Sequence, residues 1–100
     1  MDVELWYFDG CPNWQIARDN LTAALSELGS ARRVRLRKIT SARQATAERI
    51  PGSPTIRIDD RDPFPGAGDY GLTCRLYQTP TGLAGAPTVE QFVDALTALA

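Results

Sequence analysis

The beginning of the chain constrains the fold most strongly, because a buried-strand pattern is followed at once by a helix pattern. Residues Val3 to Phe8 end in four consecutive apolar side chains, which is typical of a central strand covered on both faces. Asp9-Gly10 is a turn signal, and Pro12 suits the first position of a helix. The helix is predicted to extend to about Leu28 and to carry one apolar stripe: Trp14, Ala17, Leu21, Ala24, Leu25 and Leu28.

The next segment predicts a second strand and a short helix. Arg33 to Ile39 alternates between basic and apolar residues, so we expect a half-buried strand near a sheet edge with Val34 and Leu36 on its inner side. Ser41 and Gln44 have the spacing of a capping box, which opens a short helix that ends before Pro51.

The second half of the chain predicts two short strands and a closing helix. The strands are expected over Thr55 to Asp59 and Leu72 to Gln78, on either side of a loop from Asp60 to Gly71 that is rich in Gly, Pro and Asp. Residues 79–87 contain turn signals, and Thr88 then caps a helix with Val89, Phe92, Val93, Leu96 and Leu99 on one face. The predicted order is β-α-β-α-β-β-α, with a right-handed parallel βαβ unit first and helices on both faces of the sheet.

Composition limits the classes of protein that remain. We expect the 100 residues to form one domain over positions 1–100, and 43 % apolar with 23 % charged residues is typical of a soluble globular protein. Eleven basic against 12 acidic residues argue against nucleic-acid binding, which depends on excess positive charge. No apolar run approaches the roughly 20 residues that cross a bilayer. The acidic start, Met1 to Glu4, lacks the basic region of a secretory signal, so we expect a cytoplasmic location and no membrane partner.

The reactive side chains exclude further chemistry. The chain has no histidine and two cysteines, Cys11 and Cys74, which removes histidine-dependent catalysis and a four-ligand structural zinc site. We assign no metal ligands and expect no cofactor. Because the cytoplasm keeps thiols reduced, a permanent structural disulfide between the two is not expected, and a bridge would be transient or catalytic.

Cys11 is the first candidate catalytic residue because of where it lies. It is expected between the end of the first strand and the start of the long helix, where free N–H groups and the helix dipole favour an anion. A thiol at such a position can have its pKa lowered from about 8.5 to between roughly 3.5 and 7.5, and the thiolate is the reactive form. The alternative is that Cys11 is only a buried packing residue, as free cysteines often are.

The residues around Cys11 resemble those of the thioredoxin superfamily. The resemblance depends on Phe8-Asp9-Gly10-Cys11-Pro12-Asn13-Trp14 at a strand–helix junction and on Gly52-Ser53-Pro54-Thr55 before a later strand, and it covers most of the chain. It implies a thioredoxin-like three-layer α/β sandwich with a central mixed four-stranded sheet and helices on both faces. It also implies that Pro54 is a cis-proline lying against Cys11, and that the Ser53 backbone pairs with an extended substrate.

A narrower similarity is to small bacterial thioredoxin-family proteins called alkylmercury lyase-like. They share the Cys-Pro-Asn and Gly-Ser-Pro-Thr segments and a third segment that here covers Gly71 to Tyr77. Thioredoxins carry a second cysteine three residues after the first, and this chain has Trp14 there. Cys11 would therefore be resolved by an outside thiol or by Cys74.

The role of Cys74 stays open on the sequence. It alternates with Leu72 and Leu76, so simple burial beside two core residues is one interpretation. The other is that the loop from Asp60 to Gly71 brings Cys74 towards Cys11, which for a disulfide requires Cα atoms within about 7 Å.

Three functions follow from these residues. The first is a thiol oxidoreductase that exchanges with cellular thiols, a protein or small-molecule disulfide, or a peroxide. Its catalytic residues are Cys11 and Cys74, and its substrate-binding residues are Asp9, Pro12, Asn13, Trp14, Ser53 and Pro54, although an indole such as that of Trp14 is more often a packing residue. The second is binding of a soft metal ion such as mercury or copper by the two thiols, with or without alkylmercury cleavage. The third is a non-enzymatic thioredoxin-like adaptor. The oligomeric state does not follow from the sequence.

Overall fold

The computed structural model describes residues 2–64 and 69–99. Three strands form one mixed sheet in the order β2-β1-β3, in which β1 (Val3–Tyr7) is parallel to β2 (Val34–Lys38) and antiparallel to β3 (Thr55–Ile58). Two further strands, β4 (Tyr77–Thr79) and β5 (Gly82–Ala84), form a separate antiparallel pair. The helices are α1 (Asn13–Glu27), α2 (Ala42–Ala47) and α3 (Val89–Ala98).

The central strand β1 has both faces covered, as its apolar run predicts. Val3 and Leu5 lie in the main core with side chains of α1 and α3. Trp6 points to the other face, where it packs with Ala45 and Ile50 at α2. The α/β class, the mixed sheet and helices on both faces are therefore confirmed.

The helix ends follow the residues predicted to form them. After α1, Gly29 adopts φ +65°, a left-handed conformation in which glycine has no side-chain strain. Its N–H donates to the Ser26 carbonyl over 3.0 Å, and Ser30 N–H donates to the Leu25 carbonyl over 2.9 Å, which together make a Schellman motif. Thr88 and Gln91 form the predicted capping box at the start of α3.

The segment predicted as a strand from Leu72 to Gln78 differs most from expectation. Regular pairing begins only at Tyr77, and the side chains predicted to face the core are exposed, Leu72 by 39 % and Leu76 by 61 %. Arg75 and Tyr77 are buried instead. The prediction is wrong because it allowed only apolar side chains inside, whereas an arginine can be buried where acceptors satisfy its guanidinium.

The sheet consequently has three strands among the described residues. Residues 72–76 approach the entrance of β3 through one parallel bridge between Ser53 and Cys74, not as a hairpin partner of β3. The chain then forms the β4–β5 hairpin, whose second strand lies in the stretch that the sequence predicts as turns. Within the described ranges, no helix has the length and apolar character needed to span a membrane.

Candidate functional site

A disulfide bond joins Cys11 to Cys74, and their Cα atoms are 5.8 Å apart. The sequence left open whether the two residues approach each other, and the structure brings them together. The loop expected to do this, Asp60 to Gly71, includes positions 65–68, which lie outside the described residues. That the bridge is transient or catalytic, and not permanent, stays a prediction, because one oxidised state does not test it.

Cys11 occupies the predicted strand–helix junction. Its N–H donates to the Phe8 carbonyl over 3.3 Å, which closes the turn after β1, and Pro12 follows as the N-cap of α1. The first turn of α1 contains no acidic side chain, so the positive end of the helix beside Cys11 is not compensated locally.

The two sulfur-bearing residues differ in exposure. Cys11 has no accessible surface, whereas Cys74 is exposed. Burial, which was one of the two interpretations of Cys11, therefore describes its position in the disulfide state. Of the two bonded residues, Cys74 is the one with surface exposed to solvent.

The peptide bond between Ser53 and Pro54 is cis, as the resemblance implies. The Ser53 carbonyl oxygen lies 3.5 Å from Cys11 Sγ. The buried Ser53 hydroxyl accepts a hydrogen bond of 3.3 Å from the Phe8 N–H. Ser53 thus faces Cys11 through its carbonyl group, and the cis peptide bond joins it to Pro54.

The backbone of Ser53 is already paired with the Cys74 segment. Ser53 N–H donates to the Thr73 carbonyl over 2.8 Å, and Arg75 N–H donates to the Ser53 carbonyl over 2.9 Å. These are the groups that the resemblance assigns to an extended substrate, and the chain's own residues 73–75 occupy them in this state. The approach is close enough that a Cβ at Gly52 would lie 2.9 Å from the Thr73 carbonyl oxygen.

Two buried side chains fix the segment that carries Cys74. The Arg75 guanidinium donates to Asp62 over 2.5 Å, to the Thr55 hydroxyl over 3.3 Å and to the Phe64 carbonyl. It also lies 4.5 Å from the ring centroid of Tyr77. Because both residues follow Cys74 directly along the chain, these contacts hold the position of its backbone.

Tyr77 connects this segment to the cis-proline. Its hydroxyl donates to the Pro54 carbonyl. Burial raises the pKa of Tyr77 far above its ordinary value of 10.0, so the phenol stays protonated and continues to donate. The sequence reasoning missed Arg75 and Tyr77 as site residues. The sequence feature that points to a buried Arg75 is Asp62, an acidic residue in the preceding loop that pairs with it.

The remaining predicted site residues have structural partners. Lys38 Nζ forms an ion pair with Asp9 Oδ2 over 2.6 Å. The hydrogen bond that Lys38 donates to Asp9 raises the pKa of Lys38. Asn13 packs directly against Gly85, where an added Cβ would lie 2.2 Å from its amide nitrogen. The ring of Trp14 stacks on Tyr7 with centroids 4.1 Å apart.

The structure therefore gathers Cys11, Cys74, Ser53 and Pro54, with the exposed Pro12 beside them. It engages the side chains of Asp9, Asn13 and Trp14 elsewhere. Among the described residues, no group of three or more Cys, Asp or Glu side chains is placed to hold a metal ion. No family of known proteins matched the chain, and neither did any curated protein or any solved structure.

Proposed function

We propose that this protein performs thiol–disulfide exchange through the Cys11–Cys74 pair. The observation that carries the proposal is the asymmetry of the disulfide, which joins a fully buried cysteine at a helix start to a cysteine on an exposed residue. Such an arrangement gives an outside thiol one sulfur to attack and provides a leaving group on the other side.

The fold supports a thioredoxin-like assignment within this proposal. In the β1–α1–β2 unit, Cys11 lies in the turn between the first strand and the helix, and β3 enters antiparallel to β1 directly after the cis-proline. The second cysteine comes from the segment after β3 instead of from the first turn of α1, where Trp14 lies. In a reducing cytoplasm, a disulfide of this kind would form as a step of a cycle.

The exchange balances as a two-electron reaction. The thiolate of an outside thiol attacks Cys74 Sγ, a new bond forms between the two sulfurs, and the Cys11–Cys74 bond breaks with its electron pair on Cys11. A second thiol of the same class then attacks the outside sulfur of the mixed disulfide and releases Cys74. Two outside thiols become one disulfide, and the protein gains two electrons and two protons. The reverse sequence oxidises the dithiol with an outside disulfide.

The position of Cys11 suits the leaving group of the first step. The uncompensated N-terminus of α1 stabilises a thiolate at Cys11 relative to the thiol. A thiol of lower pKa leaves faster in disulfide exchange. When the cycle runs in the other direction, the Cys11 sulfur attacks the mixed disulfide on Cys74.

The proposal is tested by mapping which sulfur exchanges. The oxidised protein is mixed with a limiting amount of glutathione, quenched in acid, and digested so that mass spectrometry locates the mixed disulfide. We expect glutathione on Cys74 and a free thiol at Cys11. In a matched pair of variants, iodoacetamide should alkylate Cys74 in Cys11→Ser about 100-fold faster than Cys11 in Cys74→Ser, because Cys11 reacts only through local opening.

Two results would overturn the proposal. One is a disulfide that glutathione and dithiothreitol fail to reduce in the folded protein. The other is a mixed disulfide that forms on Cys11 in preference to Cys74. An inert disulfide would instead favour the adaptor function, in which the bond only stabilises the fold.

Soft-metal binding is a second candidate, favoured by the 5.8 Å between the two Cα atoms. In the reduced protein, two thiolates at this separation could bind one Hg(II) or Cu(I) ion, since thiolates select such metals. A titration of the reduced protein with Hg(II) should then show one ion per chain, and binding should weaken sharply in either single cysteine variant. Equal and independent binding at the two thiols would contradict this candidate.

A further inference from the structure

Two exposed leucines flank Cys74 along the chain. The parallel bridge to Ser53 pairs the backbone at Cys74, and Leu72 and Leu76, two residues on either side of it, are 39 % and 61 % exposed. Arg75 and Tyr77 are buried, so the leucines and Cys74 face solvent where these two side chains face the interior.

The chemistry of exchange determines what must cover these leucines. In a mixed disulfide, the Cα atom of the partner's cysteine lies about 5.5–6 Å from the Cα of Cys74. Leu72 and Leu76 are each two residues from Cys74, so their Cα atoms lie no more than about 7 Å from that of Cys74. A partner polypeptide in the covalent intermediate therefore places the neighbours of its own cysteine within contact distance of the leucines.

From this placement we infer that Leu72 and Leu76 form the docking surface for a protein or peptide partner whose exchanging cysteine has apolar neighbours. The inference rests on the proposed exchange function and specifies its substrate class. Apolar neighbours on the partner remove leucine surface from water when the mixed disulfide forms, which stabilises that intermediate. Glutathione carries two carboxylates beside its cysteine and gains little from the same surface.

The test compares two peptide thiols on the oxidised full-length protein. One peptide has leucine on both sides of its cysteine, and the other has serine at those two positions. The rate constant for reduction of the Cys11–Cys74 disulfide is measured with each. Each rate is divided by the rate of the same peptide with a small aromatic disulfide, which removes differences in intrinsic thiol reactivity. Glutathione serves as the reference thiol.

We expect the leucine peptide to react about tenfold faster than the serine peptide after this correction, which corresponds to about 1.4 kcal/mol. In Leu72→Ser/Leu76→Ser the ratio should fall to near one, while reduction by glutathione stays unchanged. The matched control is Leu28→Ser, since Leu28 is 44 % exposed but follows the far end of the 15-residue helix α1. This variant should keep the tenfold preference.

The outcomes separate the two proposals. Equal corrected rates for both peptides on the wild-type protein, with normal reduction by glutathione, overturn the docking inference and leave the exchange function intact. A preference that persists in the double leucine variant also overturns it. Failure of every thiol to reduce the disulfide overturns the exchange function itself.

Discussion

The two ends of the disulfide belong to regions that are built in different ways. Cys11 lies between two regular elements, β1 and α1, and its surroundings are closed by backbone hydrogen bonds and by tight packing of Asn13 on Gly85. Cys74 lies before β4 in a segment with a single bridge partner, and its position depends on the side chains of Arg75 and Tyr77. The comparison teaches that Cys11 is held between two regular elements, whereas Cys74 is held by two backbone hydrogen bonds to Ser53 and by buried side chains that follow it along the chain.

The largest expected effect comes from removing the bond that joins the two regions. The disulfide links residues 63 positions apart, and a loop of that length implies a loss of about 4 kcal/mol in the free energy of unfolding on reduction. Urea denaturation of the wild-type protein with and without dithiothreitol measures it. Cys74→Ser should match the reduced wild-type protein and should not respond to the reductant. Equal stability of oxidised and reduced protein would contradict the expectation.

The dependence of the Cys74 region on side chains is tested at Arg75. The Arg75 side chain is 5 % exposed and that of its partner Asp62 is 27 % exposed. Arg75→Met leaves the partly buried Asp62 carboxylate without its partner, so we expect the free energy of unfolding to fall by about 2–3 kcal/mol. The matched control is Arg61→Met, which removes an exposed arginine nearby and should change stability by less than about 0.5 kcal/mol. Similar losses in both variants would show that Arg75 has no special structural role.

The difference in packing is tested with two glycines. Gly85→Ala places a methyl group against Asn13 at the start of α1. Because this overpacks the contact, we expect the free energy of unfolding to fall by about 1–2 kcal/mol. Gly71→Ala, three residues before Cys74, meets no atom within 4 Å and should be close to neutral. Thermal denaturation of the oxidised proteins measures both. In Asn13→Ala the cost of Gly85→Ala should shrink, whereas a constant cost would place the strain elsewhere.

The smallest effect concerns the protonation of Tyr77. Its pKa is raised in the folded protein above the ordinary 10.0 by burial, so its contribution to stability is fully present below about pH 10 and is lost as the pH rises further. Between pH 9 and pH 10.5 the loss should be less than about 1 kcal/mol, since one proton contributes at most about 1.4 kcal/mol per pH unit. Urea denaturation of Tyr77→Phe should lack this component. Tyr70→Phe, at a 49 % exposed position, should retain it.

The Cys11 region could be predicted from the sequence because local signals determine it. A consecutive apolar run, a Pro at the helix start and a Gly at the helix end act over a few residues, and β1, α1 and the cap at Gly29 follow them. The cis-proline was implied by resemblance and not by any local pattern.

The Cys74 region could not be predicted because long-range polar contacts determine it. The apolar pattern assigns Leu72 and Leu76 to the core, and only the acceptors that satisfy a buried Arg75 change this. Those acceptors come from residues 11 to 20 positions earlier. The periodic pattern of apolar residues predicts that the apolar side chains are the buried ones. At this segment, the ion pair with Asp62 reverses that assignment.

The disulfide also turns most of the fold into a covalent ring. It encloses α1, β2, α2 and β3, while β1 precedes the ring and β4, β5 and α3 follow it. A protease that cuts once between Cys11 and Cys74 in the oxidised protein leaves a single molecule with an intact path from one terminus to the other. Two fragments separate only after reduction, so the electrophoretic pattern of a nicked sample reports whether the disulfide is intact when the sample is denatured.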